Sequence, residues 1–202
     1  MDKMLDIIKE DIDKVKVIEY EEKPLAAESK FIGVILGKYK LNNGETIIRE
    51  SVIKKVGTGN AVCVFAVTEA KKILVVVQPR AALDTDTRVN IEIPAGYKEV
   101  GETAVETGLR ELVEETGYAS NNVILLDTYY PSLGASGEKI ELVLALDCIK
   151  AGEQKLDKDE FVFYETVTLK EFEYLLNNNY IMDAHARIGY YRYLEYLMKE
   201  GY

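Results

Sequence analysis

The stretch GYKEVGETAVETGLRELVEETGY, Gly96 to Tyr118, is where the chain declares its organisation. Apolar residues at Val105, Leu109, Leu112 and Val113 predict one amphipathic helix over Ala104–Thr116, with that stripe turned to the core and the carboxylates opposite. Both helix ends are written beside it. Thr103 followed three residues later by Glu106 is a capping box, and Gly117 supplies the left-handed cap that stops the helix. Gly108, in mid-helix, costs about 1 kcal/mol relative to alanine. It is read as a point of close packing against a strand.

On the polar face Glu111, Glu114 and Glu115 converge, because residues three and four apart on a helix are neighbours at roughly 5–6 Å between Cβ atoms. Like charges that close oppose folding unless a cation offsets them. Clustered carboxylate oxygens suit hard divalent ions, Mg²⁺ or Mn²⁺. Such ions suit a diphosphate in turn, since they neutralise its oxygens and acidify an attacking water. Arg110 adjoins the cluster and is expected to pair with a carboxylate, as a clamp rather than a substrate ligand. A solvated charged face is the plainer alternative, but it accounts for the charges and not for their spacing.

Composition bounds the rest. The chain has 202 residues, 48% of them hydrophobic, enough for one sizeable core or one domain with an appendage. Its net charge of −10 argues against a protein that holds nucleic acid through phosphates. A polyanionic ligand would have to arrive with metal or meet a local basic patch. Cys63 and Cys148 lie in apolar runs and are read as buried thiols, not a disulfide framework. The first residues, MDKMLDIIKEDIDK, are acidic and lack an apolar signal region, and no run approaches about 18 apolar residues, so a cytoplasmic protein off the membrane is expected.

Residues 3–16 have helical spacing. Strand-like runs follow at 30–40 and 45–55, joined by the hairpin signal Asn42-Asn43-Gly44. A second hairpin is expected from 61–68 and 72–78, turning at Glu69-Ala70-Lys71. Ile91–Pro94 is a short strand leading into the quoted stretch, and Val123–Tyr130, Ile140–Cys148 and Phe161–Val167 are further strands. Lys170–Leu176 and Asp183–Met198 are helical. Many strands with few helices predict an α/β or α+β sandwich, and the pattern is too β-rich for a doubly wound fold.

Gly96, Glu102, Arg110, Glu111, Leu112, Glu114, Glu115 and Gly117 match the Nudix signature G-x5-E-x7-R-E-U-x-E-E-x-G-U at every position, with Tyr118 as the last apolar U. From about Asn43 to Leu197 the chain resembles the ADP-ribose pyrophosphatase branch of the Nudix hydrolases. Arg49-Glu50, the Q-x-R of Gln78-Pro79-Arg80, the E-x-P-A-G of Glu92–Gly96 and the serine-to-glutamate run Ser132–Glu138 carry that wider likeness, together with Asp157–Glu160 and Ile181–Asp183. The resemblance implies an α+β fold, the α/β/α Nudix sandwich, with a mixed β-sheet flanked by helices and an N-terminal antiparallel β region. It implies metal ligation by Glu111, Glu115 and the carbonyl of Ala95, with Glu114 as a further ligand or stabiliser.

By the same resemblance a carboxylate before the strand near 161 reaches over the metals as ligand or general base. Glu160 matches best and Asp159 second; a solvated acidic turn is the alternative for both. Arg49 and Arg80 would meet the nucleotide and its phosphates, since guanidinium forks pair with phosphate oxygens, or be ordinary surface arginines. Ser132 would contact substrate, and Glu138 would contact it or close the site, or be an exposed strand-end charge. Relatives use Mg²⁺ and are homodimers, which implies a dimerisation element over 1–57 and a hydrolase domain over 58–202. The implied reaction is cleavage of ADP-ribose or a related nucleoside diphosphate sugar; other sugar nucleotides, a dinucleotide such as NADH, and a silent nucleotide sensor are the rivals. One departure bears on substrate: Leu133 stands where the branch places a proline, so the loop can take another path. His185, the single histidine, is read as structural.

Overall fold

The computed structural model of the chain describes residues 2–15, 29–40, 46–158 and 160–201. In order the elements are α1 (Asp2–Val15), β1 (Ile32–Lys40), β2 (Thr46–Lys54), β3 (Ala61–Thr68), β4 (Ile73–Pro79), β5 (Val89–Glu92), β6 (Ala95–Tyr97), α2 (Ala104–Thr116), β7 (Tyr118–Ala119), β8 (Asn122–Tyr129), β9 (Ile140–Lys150), β10 (Phe163–Val167), α3 (Leu169–Asn177) and α4 (Ala184–Glu200). The expected elements are all present, with ends within about two residues. The turn at Asn42-Asn43-Gly44 lies outside the described residues.

The main sheet runs β10-β4-β3-β9-β7, with β5 on β4, β6 on β3 and β8 on β9. Its one parallel pairing joins β3 to β9, from Ala61 opposite Ile140 to Ala66 opposite Ala145, and the other ladders are antiparallel. Those two central strands are apolar and buried along most of their length, as a strand covered on both faces must be. Alternation then divides the side chains between two layers. Val62, Val64 and Ala66, with Leu74, Val143 and Ala145, form one core with Leu112 of α2. Cys63, Phe65 and Val67, with Ile73, Val75, Leu142 and Leu144, form the other with Ile8 of α1, Phe172 and Leu175 of α3 and Tyr190 and Tyr193 of α4. Phe65 meets Phe172 edge-on at 5.5 Å between ring centroids and Tyr193 at 5.1 Å. The expected sandwich of a mixed sheet between helices is the observed one.

β1 and β2 form a separate antiparallel sheet, from Ile32 opposite Lys54 to Lys40 opposite Thr46. Lys55 N–H donates to Phe31 O at 2.8 Å and Val52 N–H to Ala135 O at 2.7 Å, the latter tying the ribbon to the body. Its side chains Val34, Leu36 and Ile48 are exposed. Two short strands, β6 and β7, were not expected from the sequence; at three and two residues they are too short to show alternation. Among the described residues no helix is long and apolar enough to cross a membrane.

Candidate active site

α2 forms as its end signals require. Thr103 Oγ1 accepts from Glu106 N–H at 3.2 Å while Glu106 Oε2 accepts from Thr103 N–H at 2.8 Å, and Gly117 closes the helix at φ 69°. The inward face is rotated from the expected one. Ala104, Thr107, Gly108, Leu112, Glu115 and Thr116 are its buried residues, whereas Val105, Leu109 and Val113 are only half-buried. The cause is at Gly108: a Cβ there would lie 2.6 Å from Val143 Cγ2 and 3.4 Å from Val64 Cγ2. Close approach at the glycine, as anticipated, turns that side of α2 onto β3 and β9 and carries one edge of the carboxylate face inward with it.

Glu115 is consequently almost inaccessible, at 5% exposure. Its Oε2 accepts from Ala95 N–H at 3.0 Å, and burial, reinforced by the charges of Glu111 and Glu160, pushes its pKa well above the usual carboxylate range. Burial also raises Glu111, against the opposing pull of Arg110. Beneath Glu111 lies Gly96, where a Cβ would sit 1.9 Å from Glu111 Oε1. The glycine is the space the carboxylate occupies.

Arg110 is more of a clamp than its neighbourhood in sequence suggests. It donates through Nε to Glu102 Oε1 at 2.9 Å, through Nη1 to Glu111 Oε1 at 2.6 Å and Glu114 Oε2 at 3.0 Å, and through Nη2 to the carbonyl of Tyr97 at 3.1 Å. Its bonds hold Glu102 down to about 2. Glu102 thereby stays charged and fixes the guanidinium between the sheet and α2.

These groups border a cleft of about 1000 Å³. Ala95, Glu111, Glu114, Glu115 and Glu160 all line it, as do Arg80 and Glu138. Glu160 is exposed, and its carboxylate accepts from Asp157 N–H at 3.0 Å. Asp159 lies outside the described residues. Arg80 donates to both oxygens of Glu92, at 2.7 and 2.5 Å, and Gln78 and Asn90 donate to the same carboxylate at 3.3 and 3.2 Å. Glu92 thus orients Arg80, a role that sequence reasoning missed, although strand alternation signals it: Gln78 and Arg80 are separated by two, like Asn90 and Glu92.

Two expected substrate residues are not brought to the cleft within this chain. Arg49 is exposed on β2, where it donates to the carbonyl of Ile48 at 2.8 Å. Ser132 is exposed in the turn that follows β8, its carbonyl accepting from Ala135 and Ser136. His185, read as structural, does bond within the fold, with Nδ1 2.8 Å from Tyr129 Oη, but its ring also lines the cleft. Burial lowers its pKa, so it stands there as a neutral imidazole at pH 7.

Among the described residues no three His, Cys, Asp or Glu side chains are already gathered as a metal cage. Arg110 explains the spread, since it holds the carboxylates of Glu111 and Glu114 to itself. The donor set nevertheless fits a hard divalent cation: burial disfavours negative charge on the Glu111 and Glu115 carboxylates, which sit where the missing Cβ of Gly96 leaves room, and a cation beside them would offset that charge.

A capped helix that presents three glutamates to a cleft, on a mixed sheet between helices, defines the class, and the NUDIX domain family model matches residues 57–186. The chain belongs to the Nudix hydrolases. It is 38% identical over 169 residues to the ADP-ribose pyrophosphatase of Bacillus subtilis (strain 168), covering 81% of this chain and 88% of that one. It is 35% identical over 175 residues to the methanol dehydrogenase activator of Bacillus methanolicus, covering 84% and 91%. A crystal structure of an ADP compounds hydrolase superposes with a TM-score of 0.72 at 20% identity, over 87% of this chain and 91% of that chain, a likeness of fold.

Proposed function

We propose that this enzyme hydrolyses the pyrophosphate bond of ADP-ribose or a related nucleoside diphosphate sugar, releasing a nucleoside monophosphate and a sugar phosphate, with Mg²⁺ or Mn²⁺ as cofactor. The observation that carries the reading is Glu111, Glu114 and Glu115 facing one cleft with Arg80. The relative named ADP-ribose pyrophosphatase, matched over most of both chains, supports the substrate class.

Glu111, Glu115 and the carbonyl of Ala95 would hold the metal, with Glu114 and Glu160 as further ligands. When bound, a divalent ion neutralises diphosphate oxygens and makes water more acidic. Glu160, or Asp159 in its stead, takes the proton of the attacking water as general base, and no covalent enzyme intermediate is required. Arg80, pre-oriented by Glu92, meets the charge that develops on the phosphoryl oxygens. Glu138, on the cleft wall, contacts the substrate, and Ser132, outside the cleft of its own chain, does so only if the dimer brings it there.

The same reading divides the chain into a dimerisation element, 1–57, and a hydrolase domain, 58–202, and makes the enzyme a homodimer. The apolar exposure of Val34, Leu36 and Ile48 on the β1–β2 ribbon supports this, as does an exposed Arg49 that does not line the cleft described in its own chain. A cytoplasmic setting accords with Cys63 and Cys148 being buried and unbridged.

The test is a panel of ADP-ribose, other nucleoside diphosphate sugars and NADH, incubated with Mg²⁺ and read by phosphate release after phosphatase treatment. ADP-ribose is expected to give the highest kcat/KM. Turnover of none of them overturns the reading and returns the silent sensor.

A further inference from the structure

An α-helix ends with carbonyls that have no partner inside it, and at the end of α2 all but two of the partners come from one segment. Thr116 Oγ1 and Gly117 N–H serve the carbonyls of Leu112 and Val113 from within the cap itself, at 2.5 and 2.8 Å. Beyond them, Lys155 N–H donates to Glu114 O at 2.9 Å, Gln154 Nε2 to Glu115 O at 2.5 Å and Lys150 Nζ to Thr116 O at 2.8 Å. Ala151 and Gly152 N–H both reach Gly117 O, at 2.9 and 3.1 Å. The stretch 150–155 is thus laid along the C-terminus of the helix that bears the carboxylates.

Gln154 does something further. The same Nε2 donates to Val162 O at 3.0 Å, just ahead of β10. One amide nitrogen therefore joins the helix end at Glu115 to both roots of the loop that contains Glu160. Both partners are carbonyls, so only the NH₂ group can face them and the orientation of the amide is fixed. Backbone bonds of residues 151, 152 and 155 dock the near root and the β10–β4 ladder holds the chain from Phe163 on, but among the described residues only Gln154 links the near root to the carbonyl that ends the loop.

We propose that Gln154 is a positioning residue, which sets the Glu160 loop in register with the carboxylates of α2. The inference rests on the reading of Glu160 as the group that takes the proton. Gln154→Met removes both donors at similar volume. In steady-state assays with ADP-ribose and Mg²⁺ it should lower kcat by about 10- to 100-fold with KM within about twofold, the scale of a misplacement near 1 Å. In a Glu160→Gln background the same change should cost less than about twofold, because the positioned group is already lost.

Hydrogen exchange gives an arm independent of turnover: segment 155–161 should exchange faster in Gln154→Met than in wild type, whichever substrate is used or none. Wild-type kcat in Gln154→Met, an equal loss in both backgrounds, or unchanged exchange of the loop overturns the inference. Failure of the wild-type enzyme on every substrate, with faster loop exchange in the variant, instead overturns the proposed reaction and leaves Gln154 as the anchor of the loop.

Discussion

Gly96→Ala separates the site from the fold. A Cβ at this position would stand 1.9 Å from Glu111 Oε1, 2.0 Å from Cδ and 2.3 Å from Oε2, and ordinary contact begins at 3.4 Å. The carboxylate must therefore retreat by about 1.5 Å, the difference between 3.4 and 1.9 Å. Displacements of about 1 Å at a reacting centre cost on the order of 10²-fold in rate. The clash is with the far end of a flexible side chain, in a strand whose backbone has no positive φ at Gly96, so the fold can accommodate it. We expect kcat with ADP-ribose and Mg²⁺ to fall by about 10²-fold while the urea midpoint changes by the equivalent of less than about 1 kcal/mol. Near-normal kcat would refute the reasoning, because it would mean that the position of the Glu111 carboxylate is irrelevant to the reaction.

Gly108→Ala should act in the opposite sense, on stability. Helix propensity gains about 1 kcal/mol, yet the new methyl meets the stiff β-branched Val143 at 2.6 Å, and overpacking of that kind costs about 1–3 kcal/mol. Urea denaturation should show a net loss of up to about 2 kcal/mol, relieved in Gly108→Ala/Val143→Ala; a stabilised single variant would refute it. Asp183, whose Oδ2 caps α4 at Ala186 N–H, is pushed up from 3.8 to about 6 by burial and then by Glu92. A raised folded-state pKa stabilises below the unfolded value and is lost as pH rises through about 6, worth at most about 3 kcal/mol. Asp183→Asn keeps a capping oxygen, so its stability relative to wild type should improve by about 1–3 kcal/mol between pH 4 and 7. A pH-independent difference between the two proteins would contradict this. Binding of a non-hydrolysable methylene analogue of ADP-ribose, followed by calorimetry, should tighten by at least about tenfold when Mg²⁺ replaces EDTA; equal affinity would refute the assignment of metal to these carboxylates.

What could be read from sequence was local or periodic. The Thr103–Glu106 box and Gly117 cap depend on atoms within a few residues, so the limits of α2 are those expected. β3 and β9 are legible as strands from their continuous apolar runs, the composition that burial on both faces requires. The inward face of α2 was misread because hydrophobicity was counted and space was not: Gly108 wins the contact with Val143 by having no side chain, and Glu115 is drawn in with it. Glu92 was present in the quoted E-x-P-A-G run, but its hold on Arg80 depends on β4 pairing with β5, Gln78 opposite Asn90, a register no motif states. Gln154 was invisible for the same reason, since a glutamine in a polar loop has no periodicity, and its two acceptors lie 39 and 8 residues away.

The charge arithmetic of the cleft then bears on how an acidic chain receives a diphosphate. The sequence left two routes open, a local basic patch or an accompanying metal. In the fold the cleft's cations are largely committed to its own carboxylates: Arg110 faces Glu102, Glu111 and Glu114, Arg80 faces Glu92, and Lys54 lies 3.9 Å from Glu138. A guanidinium already forked onto a carboxylate still orients an incoming phosphate, but it offers less net positive charge to it. On Glu111 and Glu115, meanwhile, burial penalises any negative charge. A divalent ion relieves both deficits at once, neutralising the buried glutamates and supplying the surplus that the arginines lack. The metal route is the one this electrostatic arrangement favours, and Glu102 fits it: were Glu111 and Glu114 to turn to a cation, Arg110 would keep Glu102 as a partner.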